Sequence, residues 1–178
     1  MNNAPYIGKG VVKKHIDKAI LEILGQDETL LGAFHGQAML TEGDSLSGKY
    51  KGGLSLHDYL LVTDKRVIFW TRGLITGSTD GFFYNDISST EKAKTLLLGE
   101  IVLNVRGTKE RFRSMVKKDV PNAIQLIQEQ ISKSRTKKTT LENKRQLIPD
   151  QIRKLIKLRD DGLLTEEKFL IKKRELLK

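Results

Sequence analysis

The chain has 178 residues, of which 38% are hydrophobic and 30% are charged, so it can form a packed core and is not a wholly disordered protein. It contains no cysteine, which excludes disulfide bonds, thiolate metal ligands and a cysteine nucleophile. The formal net charge is +10, but residues 1–131 have 17 basic and 15 acidic side chains, whereas residues 132–178 have 15 and 7. We therefore expect a nearly neutral body followed by a basic tail.

The first predicted element is an amphipathic helix within residues 1–26. Between Val11 and Leu24, apolar residues recur at intervals that place them on one face of a helix, and Gly25 is a typical residue at a helix end. A helix with one apolar face is expected to lie on another element. Since no stretch is apolar enough to span a membrane and the first residues lack a signal-peptide pattern, we expect a cytoplasmic protein.

Short segments rich in β-branched and aromatic residues, separated by turn residues, predict seven strands in the middle of the chain. The alternation of Ile101, Leu103 and Val105 with more polar neighbours is typical of a strand with one buried face. The predicted strands are Thr29–Leu40, His57–Val62, Arg66–Thr71, Phe82–Asp86, Ile87–Lys92, Ile101–Arg106 and Lys109–Val116. Strands this short at hairpin spacing predict an antiparallel barrel or sandwich.

A helix is predicted after the last strand, in a position to cover one open end of the barrel. Asp119 is a candidate N-cap and Pro121 lies in the first turn, where its missing N–H is not needed. The apolar residues that follow repeat at steps of four, three and four and form one face: Val120, Ile124, Ile127 and Ile131.

The basic tail is predicted to consist of a linker and a helical hairpin. Residues 133–146 have six basic residues, one acidic residue and one aliphatic residue, too few apolar groups to order the segment by itself. The alternative is that the preceding helix continues into part of this segment. Residues 147–178 contain two apolar helical segments on either side of Asp161-Gly162, and Thr165 is a candidate N-cap. A unit of about 30 residues seldom folds alone without a metal or a disulfide, so its apolar faces need cover from another surface.

One segment resembles a known family. The stretch Tyr59-Leu-Leu-Val-Thr-Asp-Lys-Arg-Val-Ile-Phe-Trp70 resembles the second hairpin of bacterial pleckstrin-homology-like domains, in which Thr-(Asp/Asn)-x-Arg separates two apolar runs. The stretch Tyr84–Ser89 resembles the following strand of that family. The resemblance covers residues 27–132 and is closest to the YokE-like group. It implies a mainly β, α+β fold, namely a pleckstrin-homology-like antiparallel barrel or sandwich capped by a C-terminal helix.

The end of the chain resembles a second family. Leu155–Leu177 is similar to the short C-terminal domain family, SHOCT, whose pattern is Leu, a few residues, Gly, an apolar pair, Thr-Glu-Glu-x-Phe, Lys-Lys and Leu-Leu. Lys168 stands where the family usually has an acidic residue. The resemblance implies a cytoplasmic accessory hairpin at residues 147–178 that promotes self-assembly or binds a protein partner, and it does not imply an enzyme.

No catalytic or metal-binding motif is present. His15, His35 and His57 are not clustered with carboxylates at ligand spacing, and phosphate-loop, serine-hydrolase and zinc-protease motifs are absent. We therefore expect no enzymatic activity, no metal, no cofactor and no small-molecule substrate.

Two groups of basic residues are candidates for anion binding. The first lies around the last predicted hairpin and is also typical of a solvated sheet face: Arg106, Lys109, Arg111 and Arg113. The second lies in the linker and lacks aromatic residues that would stack on bases: Lys133, Arg135, Lys137 and Lys138. In addition, Lys49 and Lys51 flank a glycine-rich loop, a weak match to the headgroup-binding loop of eukaryotic pleckstrin-homology domains.

These features predict a bacterial, non-enzymatic binding and assembly module, present as a homo-oligomer or bound to a protein partner. The hairpin is predicted to mediate self-association or docking through Leu155, Phe169, Leu176 and Leu177. The alternative is an anion-binding adaptor that makes weak, non-specific contacts with nucleic acid or an acidic membrane surface through the basic tail.

Overall fold

The computed structural model describes residues 4–40, 49–50, 57–72, 77–93 and 98–177. Within them lie nine strands: β1 (Tyr6–Ile7), β2 (Leu30–Leu40), β3 (Lys49–Tyr50), β4 (His57–Thr63), β5 (Arg66–Arg72), β6 (Gly77–Phe83), β7 (Ile87–Ala93), β8 (Gly99–Val105) and β9 (Thr108–Met115). The α-helices are α1 (Lys13–Glu22), α2 (Asp119–Asp160) and α3 (Glu166–Leu176), and a 3-10 helix spans Tyr84–Asp86. The chain divides into two units, Met1–Ser134 and Arg135–Lys178.

The strands of the first unit form an antiparallel sheet in the order β6-β5-β4-β2-β9-β8-β7, and β1 joins β2 in parallel. The long strand β2 belongs to both halves of the sheet, because its first part pairs with β4 and its second part pairs with β9. Among the described residues β6 and β7 do not pair, so the sheet is not closed. The predicted α+β class, with an antiparallel sheet and C-terminal helices, is confirmed.

The main core lies between the two halves of the sheet and the first turns of α2. Its largest fully buried side chains come from both halves: Phe34, Leu60, Phe69, Ile101, Leu103 and Phe112. Of the predicted apolar face of the helix, Val120 and Ile127 are fully buried, Ile131 is buried and Ile124 is partly buried, and Ala123 is fully buried beside them. Gly99 permits this close approach, since a Cβ there would lie 2.2 Å from Cγ2 of Val120. The predicted covering helix is therefore present.

A second, smaller core lies on the opposite face of the sheet, beneath α1. Ile16 and Ala19 of the helix are buried against Ala33, Tyr59 and Leu61 of β2 and β4. This packing accounts for the single apolar face of α1 and confirms the prediction that the helix lies on another element.

The Thr-Asp-Lys-Arg turn between β4 and β5 anchors the segment that follows α1. Arg66 forms two hydrogen bonds of 2.9 Å with the buried carboxylate of Glu28, one from Nε and one from Nη2. The same carboxylate accepts the Thr63 hydroxyl at 2.8 Å and the Gly25 amide at 3.0 Å. Asp64 Oδ1 accepts the amide of Thr29 at 2.8 Å. The residues of the family-like motif therefore have a structural role here.

The segment before α1 is held by Asp119. The Tyr6 hydroxyl and the Lys9 amide each donate a hydrogen bond of 2.8 Å to this carboxylate, and the Tyr6 ring stacks on Phe34 at 5.4 Å. Asp119 is the first residue of α2 rather than the residue before it. Through these hydrogen bonds, Asp119 links the N-terminal segment to the start of α2.

The prediction of a strand at Phe82–Asp86 is wrong, because the strand lies earlier in the chain. The strand is β6, which ends at Phe83, and the next three residues form the 3-10 helix. Gly77–Gly81 has the composition of a turn, but it pairs with β5 at every position, and the Ser78 and Thr71 hydroxyls are hydrogen bonded at 2.8 Å. Pairing with a buried neighbour, rather than apolar content, makes this segment a strand.

Residues 133–146 are helical, whereas the sequence predicts an irregular segment there. They continue α2, and their described side chains are exposed except that of Ser134, which donates a hydrogen bond to Asn85. Adding residues to an existing helix avoids the cost of nucleation, so polar residues with fair helix propensity suffice. In the second unit α3 begins after the predicted N-cap Thr165, whose hydroxyl accepts the Lys168 amide.

Candidate interaction surfaces

Phe169 lies inside the C-terminal hairpin and is only 5% exposed. The Arg159 guanidinium stacks over its ring at 4.9 Å, and the Lys173 ammonium lies 5.8 Å from the ring centre. Hydrogen bonds of 2.8 and 3.0 Å to Asp160 orient Arg159 and raise the pKa of its side chain. Phe169 is therefore covered by cations of its own hairpin.

The other predicted assembly residues lie at the hairpin surface. Leu155 and Leu176 are half-buried and line a groove of about 370 Å³ together with Gln151, Lys154, Lys172 and Glu175. Leu177 is 61% exposed. Further apolar side chains of this unit are exposed: Leu147, Ile156, Leu158, Leu163, Leu170 and Ile171. This is a large apolar surface for a unit of this size.

Ion pairs with acidic residues are described for Arg106, Arg111 and Arg113, three of the candidate cations near the β8–β9 turn. Arg106 lies in the turn with φ 48° and pairs with Asp86 at 2.8 Å. Arg111 Nη1 and Arg113 Nε lie 3.0 and 3.1 Å from the same oxygen, Oε1 of the buried Glu100. Lys109 is exposed. The structure thus brings Arg111 and Arg113 together, as their alternation along β9 predicts, and places Arg106 at a separate ion pair.

The candidate cations of the tail lie on exposed turns of α2. Lys133 and Lys137 are one turn apart, and Arg135 and Lys138 are three residues apart on another side of the helix. Within this stretch Lys138 lies 3.9 Å from the Glu142 carboxylate. The helix therefore presents basic side chains to solvent in more than one direction.

Two histidines pack against Tyr59 in the smaller core. His15 Nδ1 lies 2.6 Å from the Tyr59 hydroxyl, and the His35 ring meets the Tyr59 ring edge-on at 5.8 Å. Burial raises the pKa of Tyr59. The side chains of His57, Lys49 and Lys51 and most of the glycine-rich loop lie outside the described residues.

The part of the chain that the structure describes contains no group of three potential metal ligands. No helix in the same part is long and apolar enough to cross a membrane.

Residues 24–129 match the protein family described as bacterial PH domain. A DUF1696 family protein with a pleckstrin-homology domain from Shewanella loihica PV-4 is 22% identical over 69% of this chain and 96% of its own, with a TM-score of 0.41. A pleckstrin homology domain from Shewanella amazonensis SB2B is 22% identical over 67% and 94%, with a TM-score of 0.39. The C-terminal domain of an unknown protein from Leishmania infantum is 18% identical over 68% and 98%, with a TM-score of 0.47. No curated protein matches the chain.

Proposed function

The chain belongs to the bacterial PH domain family, and from this premise we propose that it is a non-enzymatic binding and assembly module whose C-terminal hairpin, residues 147–178, mediates self-association. The observation that supports this most directly is the exposed apolar surface of the hairpin, where Leu163 is 75% and Leu177 61% exposed. The membership of the hairpin in the SHOCT family, the YokE-like grouping and a cytoplasmic location stay predictions from the sequence.

The charge pattern of α3 favours a second copy of the hairpin as the partner. Glu166 and Glu167 occupy the first turn of the helix, and Lys173 and Arg174 occupy the last turn. Two copies related by a two-fold axis would place the acidic end of one α3 beside the basic end of the other. In that arrangement Leu155, Leu176 and Leu177 would form apolar contacts between the copies, and the exposed Leu170 would join them. Phe169 would support the hairpin from within.

Leu170 and Leu177 offer a sharp test of this surface. Leu177, the C-cap residue of α3, follows Leu170 by seven residues, about two turns, so the two lie on one side of the helix, whereas Ile171 points about 100° away from Leu170. We expect light scattering to give a molar mass above that of a monomer for the full chain and for Ile171→Ser. We expect a monomer for the double variant Leu170→Ser/Leu177→Ser, whose folding is checked by circular dichroism.

A truncated chain ending near Ser134 provides a second comparison, since the first unit ends there. It should be monomeric if the hairpin mediates assembly. If the full chain and the truncated chain have the same oligomeric state, self-association through the hairpin is wrong. Docking to a different protein would then be the remaining use of the apolar surface. Proteins that co-purify with the full chain and not with the truncated chain would identify that partner.

The second candidate function is anion binding by the basic part of α2. The supporting observation is that Lys133, Arg135, Lys137 and Lys138 are exposed on a regular helix, so several phosphates of a nucleic acid or an acidic membrane can be reached at once. Substitution of these four residues by Gln should weaken binding to duplex DNA and to anionic vesicles at low salt. Unchanged binding would exclude this candidate.

A further inference from the structure

We propose that Arg111, Arg113 and Gln37 form a binding site for a phosphate group on the face of β2 and β9 that points away from the main core. The site lies in the first unit and does not depend on the proposed role of the hairpin. Arg111 and Arg113 alternate along β9 and share a face, while Phe112 between them points into the core. Gln37 of β2 lies directly opposite Arg113 in the ladder, so its side chain is on the same face.

Glu100 holds the two guanidinium groups together. Arg111 Nη1 and Arg113 Nε approach the same oxygen of this carboxylate, at 3.0 and 3.1 Å, and Glu100 itself is only 4% exposed. One arginine is sufficient to compensate one buried carboxylate, and the second leaves a positive charge in excess at a fixed position. The pair is therefore arranged before any ligand binds, which lowers the entropic cost of binding.

Many hydrogen-bond donors at this place lack acceptors within the described residues. Each guanidinium has five N–H groups, and the ion pairs described for Arg111 and Arg113 involve Glu100 alone. The Nε of Arg113 is buried and is not aligned for a hydrogen bond with Glu100 despite the short distance. The Ser114 hydroxyl donates to Oε1 of Gln37 at 2.8 Å, which fixes the amide and leaves its NH₂ group as a further donor.

The chemistry of these donors fits a phosphate group. Guanidinium groups bind phosphate oxygens in pairs through their planar arrangement of N–H groups, and a phosphate has several oxygens to accept them. The side chains of Arg111 and Arg113 are 25% and 27% exposed, so solvent reaches part of each. Both a soluble monoester and a lipid headgroup carry such a phosphate, and the experiment separates the two sources.

The test is a titration of ¹⁵N-labelled full chain with inorganic phosphate at constant ionic strength, followed by NMR. We expect saturable shifts of the Nε–H signals of Arg111 and Arg113 and of the Gln37 side-chain amide. Arg113→Lys keeps the charge beside Glu100 but loses the paired N–H groups, so the affinity should fall by about tenfold. The matched control Arg106→Lys changes an arginine at a separate ion pair and should leave the affinity unchanged.

The wild-type titration decides the proposal even if Arg113→Lys does not fold, and Gln37→Met, which leaves both ion pairs intact, then replaces that variant. Absence of saturable shifts at these side chains, or equal affinity in wild type and both site variants, would overturn the proposal. Co-sedimentation with phosphatidylcholine vesicles, with and without phosphatidic acid, identifies the source. Binding that requires phosphatidic acid and Arg113 supports a headgroup, whereas binding of free phosphate alone supports a soluble ligand.

Discussion

Glu28 is the residue at which the stability of the first unit should depend most clearly on pH. Burial alone raises the pKa of this carboxyl, but hydrogen bonds from Arg66, the Gly25 amide and Thr63 outweigh burial and lower the pKa overall. The folded state therefore binds this proton more weakly than the unfolded state. The resulting stabilisation is complete above the unfolded-state pKa, about 4.3, and is lost as the pH falls through the lower folded-state pKa.

We predict that Glu28→Gln lowers the free energy of unfolding by about 2 kcal/mol at neutral pH, because a charge-assisted pair with Arg66 is lost. The difference from wild type should narrow as the pH falls below about 4. Urea denaturation over a pH series measures both effects. Glu22→Gln is the control, since Glu22 is 58% exposed and lies 3.6 Å from Lys18, and it should change stability by less than about 0.5 kcal/mol. A difference between Glu28→Gln and wild type that is constant with pH would contradict the prediction.

At the scale of single elements, the C-terminal hairpin depends on Phe169. We predict that Phe169→Ala removes hydrogen-exchange protection from the amides of α3, because loss of a buried aromatic ring costs about 3 kcal/mol and a unit this small has little stability to lose. Ile171→Ala removes an apolar side chain that is 56% exposed and should leave protection nearly unchanged. Amides of β4 and β5 report on the first unit and should not respond. Equal protection of α3 in both variants would show that Phe169 does not hold the hairpin together.

Elements with a local pattern could be predicted from the sequence, and elements made by tertiary pairing could not. The apolar faces of α1 and α2 follow from burial of one side, and the structure has both. The strand β8 is present as predicted, but both of its faces are buried, since Glu100 and Val102 are buried as well as Ile101 and Leu103. By contrast, β6 is polar in its first half and exists because β5 pairs with it, and β1 is only two residues long. Neither has a periodic signal to detect.

The candidate anion site could likewise be predicted only in part from the sequence. Side chains alternate between the two faces of a strand, so the sequence predicts that Arg111 and Arg113 share a face. Glu100 appears in the sequence merely as a charge that interrupts an apolar stretch, and Gln37 is more than 70 residues away along the chain. Glu100 lies at an irregularity of the β8–β9 ladder, between the paired residues Gly99 and Ile101, and Gln37 pairs with Arg113 in the β2–β9 ladder. Their contribution follows from register, which residue composition does not encode.

At the scale of the whole molecule, charge is distributed unevenly along the chain. The two proposed functions of the tail should therefore respond differently to salt. Unit Arg135–Lys178 has 14 basic and 7 acidic side chains, and unit Met1–Ser134 has 18 and 15. Contact of duplex phosphates with all six basic residues of 133–146 would release condensed counterions, so the affinity should fall with a log–log slope near about −5 in salt concentration. A rise from about 50 to 200 mM salt would then weaken it by roughly 10³-fold.

Self-association of the hairpin should respond to salt in a different way. Burial of Leu170 and Leu177 is not screened by salt. Salt weakens attraction between the oppositely charged ends of α3, but it also weakens repulsion between two units of charge +7, and the two effects oppose each other. We therefore predict that the dimerisation constant from sedimentation equilibrium changes by less than about threefold over the same range. An assembly that dissociates with salt as steeply as a nucleic-acid complex would instead be held together by the exposed cations of α2, and Leu170→Ser/Leu177→Ser would then leave it intact.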